Sequence, residues 1–251
     1  MYRTRVIPCL LLRGRGLVKT RKFKEPVYIG DPVNAVRIFN EKEVDELIVL
    51  DIDASREERD PNYELVSEIA GECFMPIAYG GGIRTLQQAR KLIRSGVEKV
   101  VVNSAALESS RIITEIADVF GSQAVVGAVD VRRSLLGNYK IVAKSATVET
   151  RIQFEAHLRQ LEAAGAGEIF VNSVDRDGVM GGYDLELLRL ATANVKVPVI
   201  ASGGAGTAEH FTQAVREGGA SAVAAGSMFV FFGRHRAVLI NYPDERIRNS
   251  I

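Results

Sequence analysis

Asp45-Glu46-Leu47-Ile48-Val49-Leu50-Asp51-Ile52-Asp53 is rewritten in the second half of the chain as Gly167-Glu168-Ile169-Phe170-Val171-Asn172-Ser173-Val174-Asp175, an offset of about 122 residues. Met75-Pro76-Ile77-Ala78-Tyr79-Gly80-Gly81-Gly82 falls at the same offset on Val197-Pro198-Val199-Ile200-Ala201-Ser202-Gly203-Gly204. Val101-Val102-Asn103-Ser104 matches Ala224-Ala225-Gly226-Ser227, one residue out of step. A repeat of this length sets the architecture before any single element is assigned. Each copy holds strand-then-helix units. Two half-barrels, about 1–122 and 123–251, are therefore expected to close as one eight-stranded parallel (β/α)8 TIM barrel of the α/β class.

Eight short apolar runs supply the strands: Arg5–Leu12, Glu46–Asp51, Pro76–Tyr79, Lys99–Asn103, Ala124–Asp130, Glu168–Ser173, Pro198–Ala201 and Ala222–Ala225. Their near-continuous Val and Ile content suits strands covered on both faces. Helices are expected over Asp31–Lys42, Thr85–Ser95, Ser110–Phe120, Thr150–Ala164, Leu185–Ala193 and Glu209–Glu217. In the second of these, Leu86, Ala89, Leu92 and Ile93 recur at helical spacing and Gly96 provides the stop. A length of 251 residues with 47% apolar side chains fits a single barrel domain. A net charge of +1 gives no general pull toward nucleic acid or an anionic membrane. With no long apolar run and no signal-peptide core, a cytoplasmic location is expected. Cys9 and Cys73 stand in apolar contexts without metal-ligand spacing. They read as buried hydrophobes, and neither a metal nor a cofactor is expected.

Two connections are long for a barrel. Arg13–Gly30 is a glycine-punctuated loop carrying Lys19, Arg21, Lys22 and Lys24, and reads as a lid over the mouth. Val131–Val148 follows the fifth strand, and Tyr139–Val142 within it suits a small hairpin arm. The chemistry gathers at the C-terminal strand ends. Gly80-Gly81-Gly82 with Asn103-Ser104, and Ser202-Gly203-Gly204 with Gly226-Ser227, form two equivalent glycine-rich sets across the mouth. Glycine lets an anion approach the backbone, so a ligand phosphorylated at each end is expected. Of the acids at strand ends, Asp130 is the best candidate general acid or base, with Asp51 beside it. Asp53 and Asp177 suit helix capping better. At the opposite ends stand Arg5, Glu46, Lys99 and Glu168, two cations and two anions that would neutralise one another if they converged on the barrel floor. Glu46 and Asp51 are an odd number of residues apart, so a regular strand could not point both inward without a bulge.

These residues closely resemble the HisF family, the cyclase (synthase) subunit of imidazole glycerol phosphate synthase, over nearly the whole chain. The resemblance rests on Arg5-Val-Ile-Pro-Cys-Leu10, Asp45 through Ser55, Gly80-Gly-Gly-Ile-Arg84, Phe120-Gly-Ser-Gln-Ala124, Asp175-Arg-Asp-Gly178 and Ile200-Ala-Ser-Gly-Gly-Ala-Gly206. It implies a barrel that forms a heterodimer with a HisH-like glutaminase docked on its floor. Ammonia would enter through a gate of Arg5, Glu46, Lys99 and Glu168. The phosphorylated ligand would be held by Gly82, Asn103, Ser104, Gly178, Gly203, Gly204 and Ser227, and by the loop lysine Lys19. The family uses two acids for cyclisation. The fifth-strand acid is Asp130, but the first-strand position is Leu11, which can neither accept nor donate a proton. Val179 also stands where the family usually has threonine. Gly233 through Pro243 lacks the long charged final helix of the histidine-pathway enzyme. Together these features resemble the branch found as a second copy in surface-polysaccharide gene sets, implying ammonia delivery to an amidotransferase acting on a nucleotide sugar in lipopolysaccharide biosynthesis. The alternatives are an active cyclase of histidine biosynthesis and a non-catalytic allosteric scaffold for the glutaminase. The related aminoaldose isomerase fits less well, because it too needs a first-strand acid.

Overall fold

The computed structural model describes residues 3–134, 136–233 and 235–251; Leu135 in the fifth-strand connection and Arg234 in the C-terminal stretch lie outside it. Eight parallel strands close on themselves: β1 (Arg5–Arg13), β2 (Leu47–Asp51), β3 (Ile77–Gly80), β4 (Lys99–Val102), β5 (Val125–Arg133), β6 (Glu168–Ser173), β7 (Val199–Ser202) and β8 (Ala222–Ala225). Closure is made by β1 pairing with β8, Arg5 opposite Ala222. The expected TIM barrel is the observed fold.

Side chains alternate along each strand between the barrel interior and the helix layer. Ile7 and Cys9 of β1, Ile48 of β2, Ala78 of β3, Val101 of β4, Val126 and Ala128 of β5 and Phe170 of β6 fill the interior, with Leu11 and Leu50 packed at its upper end. The intervening residues, such as Val6, Leu10, Leu47 and Val49, pack outward with the helices in a much larger cluster. Both faces are apolar through the middle of the barrel, and the polar inward side chains gather at its two ends. The parity conflict resolves without a bulge. Glu46 precedes β2 and shares its inward register with Ile48 and Leu50, whereas Asp51 lies in the outward register.

Two strands run past the barrel rim. β1 continues into an antiparallel hairpin with Gly16–Arg21, which pairs in turn with Lys24–Gly30. The stretch expected as a glycine-punctuated loop is therefore a hydrogen-bonded arm, with register shifts between Leu17 and Val18 and between Lys19 and Arg21. Leu17 and Val18 are buried opposite Leu12 and Leu11, which holds it to the barrel. β5 pairs likewise with Tyr139–Ala143, the expected second arm. The helix expected from Thr150 begins at Phe154, because Thr150 bonds to the Ile141 carbonyl through both N and Oγ1. A further helix, Tyr63–Glu72, starts at the Asn62 cap, whose side chain accepts from Leu65 N. After β8 come a short hairpin of Phe231–Phe232 with Ala237–Val238 and a six-residue helix, Glu245–Ser250. Among the described residues no helix is long and apolar enough to cross a membrane.

Candidate functional site

The inward register lines up three levels inside the barrel. At the N-terminal floor, Arg5 bonds to Glu46 at 2.5 Å and also to Glu168. Lys99 donates to Glu46 and to Glu168, both at 2.9 Å. Each cation bridges both anions, so the four side chains form one closed ring. The Glu46 side chain is 2% exposed and Arg5, the most open member, 30%. Burial disfavours the Arg5 charge, but Glu168 and Glu46 more than offset it and raise its pKa. Above the ring lies the apolar middle of Ile7, Ile48, Val101, Val126 and Phe170.

At the C-terminal end the barrel opens into a cavity of about 340 Å³. Asp130 tops the inward column of β5 and Leu11 that of β1, four strands away around the barrel and so across the mouth. Asn103 Nδ2 donates to Asp130 Oδ2 at 2.8 Å and Asn172 Nδ2 to Oδ1 at 3.1 Å. Burial pushes the Asp130 carboxyl up to about 6 despite these two donors, and Asp177 pushes it the same way. The Asn103 side chain thus turns to the carboxyl group. Asp51 lines the mouth too, but its Oδ1 accepts from Asp53 N, Ala54 N and Arg59 Nη2. That atom organises the turn after β2, which leaves Oδ2 for chemistry.

The capping expectation for the other two acids is corrected. Asp53 pairs with Arg13 and Arg56. The following helices are capped instead by Asn62 and Asp184. Asp177 turns into the mouth, where Oδ2 accepts from Thr20 Oγ1 at 3.0 Å and its carbonyl accepts from Lys22 N. Burial raises its pKa, with Lys19 and Thr20 opposing. The cavity therefore holds a second half-buried carboxyl group besides Asp130. Lys19 descends from the hairpin with its ammonium on the Cys9 carbonyl at 2.5 Å, and burial lowers its pKa. It fits because Gly226 has no Cβ; one would collide with the ammonium.

The two glycine sets face one another across this cavity. Gly81 and Gly82 have φ of +116° and +73°, and Gly203 and Gly204 +85° and +119°, a conformation that side-chain-bearing residues avoid. Ser104 lies beside the first pair, and Gly178, Gly226, Ser227 and Lys19 beside the second. Such bare backbone beside hydroxyl and ammonium groups can hold phosphate oxygens. Sequence reasoning passed over Asn172 as a site residue, yet the repeat carried the signal. Asn172 occupies the inward position where the first copy has Leu50.

The sequence model of the family described as histidine biosynthesis protein matches residues 5–236. A Pseudomonas aeruginosa protein provisionally named imidazole glycerol phosphate synthase subunit hisF2 is 58% identical over 244 residues, 97% of each chain. A Vibrio vulnificus protein provisionally named subunit hisF3 of that enzyme is 48% identical over 97% of this chain and 94% of its own. Imidazole glycerol phosphate synthase subunit HisF of Alkaliphilus metalliredigens is 42% identical over 91% of each chain. With a family match that spans the barrel and relatives aligned almost end to end, the chain belongs to the HisF family of histidine biosynthesis proteins.

Proposed function

We propose that this chain is the acceptor-side subunit of a glutamine-dependent amidotransferase complex. A HisH-like glutaminase docks on the floor as a heterodimer. Ammonia passes the gate of Arg5, Glu46, Lys99 and Glu168 and climbs the apolar interior to the mouth. Gly82, Asn103 and Ser104 on one side, and Gly178, Gly203, Gly204, Gly226, Ser227 and Lys19 on the other, hold a ligand phosphorylated at both ends. The observation that carries the specialised reading is a closed ionic ring beneath a mouth whose β1 column ends in Leu11. With one of two proton-transfer groups missing, cyclisation to imidazole glycerol phosphate falls by about 10²–10⁴-fold. The ammonia goes instead to an amidotransferase that converts an acetamido to an acetamidino sugar in lipopolysaccharide synthesis. The copy numbers in the names of the Pseudomonas and Vibrio relatives suit a duplicate assigned to a second task.

The second reading is an active cyclase of histidine biosynthesis, and a specific observation favours it: the Asp177 carboxyl lines the same cavity as Asp130. One assay separates the two. Protein, the ribulosyl imidazole precursor and an ammonium salt are mixed and the imidazole product is measured. The expected rate is that of a cyclase lacking one acid, rising about tenfold or more in Leu11→Asp. A wild-type rate equal to that of a cyclase with both acids, unchanged by Leu11→Asp and lost in Asp177→Asn, would establish the histidine reading instead.

A further inference from the structure

The repeat that doubles the barrel also doubles its arms. β1 and β5 are equivalent strands, and each runs past the rim into an antiparallel partner. Leu11, at the top of the β1 column, pairs with Val18, and Asp130, at the top of the β5 column, pairs with Val142. The residue after Val18 is Lys19. Two residues after Val142 comes Lys144, one place out of step. The neighbours correspond as well. β1 lies beside β8, which leads into Gly226-Ser227, and β5 lies beside β4, which leads into Asn103-Ser104. Lys19 lies against Gly226, and Lys144 N donates to Ser104 Oγ at 3.3 Å. Each glycine-rich set thus receives a lysine from the arm of the adjoining strand.

The Lys144 ammonium sits on Glu58 Oε1 at 2.8 Å, and both side chains line the cavity with Gly82 and Ser104. The lysine therefore spans from Ser104 to the segment packed on Gly82, where the Arg59 carbonyl lies against that glycine. The Glu58 side chain is 69% exposed, and an ion pair that open is worth little. A phosphate monoester carries about −1.5 to −2 and offers several strong acceptors, so it can take the ammonium from a single carboxylate. The arm itself need not move. Ser145 Oγ donates to the Ile52 carbonyl, and Lys144, Ser145 and Ala146 hold successive φ of +48°, +56° and +61°. Side-chain-bearing residues adopt that conformation only where their surroundings impose it. Ser104 Oγ accepts from the arm, which leaves its O–H to donate to an anion. Arg84 lines the cavity too, but its guanidinium is held by the Glu58 carbonyl at 2.7 Å and by Asp60 at 3.0 Å. We propose that Lys144 is a second phosphate-recognising lysine, which turns from Glu58 onto the phosphate end held by Gly82 and Ser104. It serves the first glycine-rich set as Lys19 serves the second. The inference rests on the reading of a ligand phosphorylated at both ends, and it adds the residue that distinguishes a charged first end from an uncharged one.

Inorganic phosphate is titrated into the full chain against sodium chloride of matched ionic strength, and assigned backbone amide resonances are followed. Gly82 and Ser104 report the first set, Gly204 and Ser227 the second. Saturable shifts are expected at both. Lys144→Met should weaken the first-set response about tenfold, the loss of one hydrogen bond to a charged group, and leave the second set unchanged. Lys19→Met should do the converse. Lys144→Arg should restore most of the first-set affinity. Glu58→Gln should raise it, because no carboxylate then competes for the lysine. Thermal melting checks the fold of every variant, and Glu58→Gln, at an exposed side chain, keeps the test open if Lys144→Met fails to fold. A first-set response unchanged in Lys144→Met, or weakened equally at both sets, overturns the proposal. Weaker first-set binding in Glu58→Gln overturns it too. A first-set response lost in Ser104→Ala but indifferent to Lys144→Met would remove this lysine and leave the two-phosphate reading standing. Amides that respond to phosphate at neither set in the unaltered chain would overturn both together.

Discussion

Burial pushes the Asp130 carboxyl up to about 6, against the pull of its two amide donors. The same group titrates near 4 in an unfolded chain. Folded protein therefore holds this proton more tightly than unfolded protein does, and ionising it at neutral pH opposes folding. The stability linked to the protonated form is fully present below about pH 4 and is lost as pH rises through about 6. Asp130→Asn removes the charge and keeps the shape, and its amide can donate to Oδ1 of Asn103 or Asn172, neither hydrogen-bonded among the described residues, once that amide turns. Equilibrium denaturation at pH 8 should show the variant more stable by about 1–3 kcal/mol, with the difference closing toward pH 4. Equal stability at pH 8 would mean that the ionised form is better solvated than this geometry allows. His157 acts with the opposite sign. It is 1% exposed, neither ring nitrogen has a well-formed hydrogen bond among the described residues, and burial lowers its pKa with Gln160 opposing. Staying neutral while the unfolded imidazole protonates, it withdraws stability as pH falls below about 6.5.

At the scale of elements, the hairpin Gly16–Arg21/Lys24–Gly30 decides what occupies the β1 side of the mouth. Gly226 has φ −114°, which any residue tolerates, so Gly226→Ala acts through space, chiefly against the Lys19 side chain and more weakly against the Cys9 carbonyl. The added methyl group should expel the ammonium from the Cys9 carbonyl. Thr20 and Lys22 still hold the hairpin at Asp177. Returned to water, Lys19 regains an ordinary amine pKa and should acetylate at least about tenfold faster, read by mass spectrometry of the labelled peptide. Affinity for a ligand with two phosphate groups should fall in parallel. An unchanged acetylation rate would show that Lys19 already leaves the site freely. This arm was also what the sequence concealed. The eight barrel strands were legible within a few residues at each end, because strands dry on both faces leave unbroken Val and Ile runs. Around Leu17 and Val18 the same signal is diluted by Gly14, Gly16 and four cations. Asp177 was misread for a related reason. An acid shortly before a helix usually caps it, but here Asp184 performs that task. Asn172 was legible only as a departure of one repeat from the other.

For the whole molecule, the inward register ties both ends of the barrel to one column. Arg5, Ile7, Cys9 and Leu11 stack along β1, so the residues that read as unrelated floor charges and a missing acid lie at opposite ends of the same strand face. That floor is a cycle, and cycles of buried charge respond to the loss of a member more than isolated surface pairs do. Glu46→Gln leaves Arg5 and Lys99 facing one another with only Glu168 between them. Lys99→Met leaves two carboxylates on one guanidinium group. Each should cost about 2–4 kcal/mol, toward the lower figure because Arg5 is 30% exposed and partly screened. The functional effect separates a gate from a brace. If the ring regulates passage, both variants, in complex with the glutaminase, should keep hydrolysing glutamine while product formation driven by glutamine falls. The same reaction driven by added ammonium salt should persist, since that ammonia reaches the mouth from solution. Released ammonia, measured beside product, should account for the difference. Were the glutamine-driven and ammonium-driven rates to fall by the same factor, the ring would only hold β1, β2, β4 and β6 together, and passage through the floor would need another route.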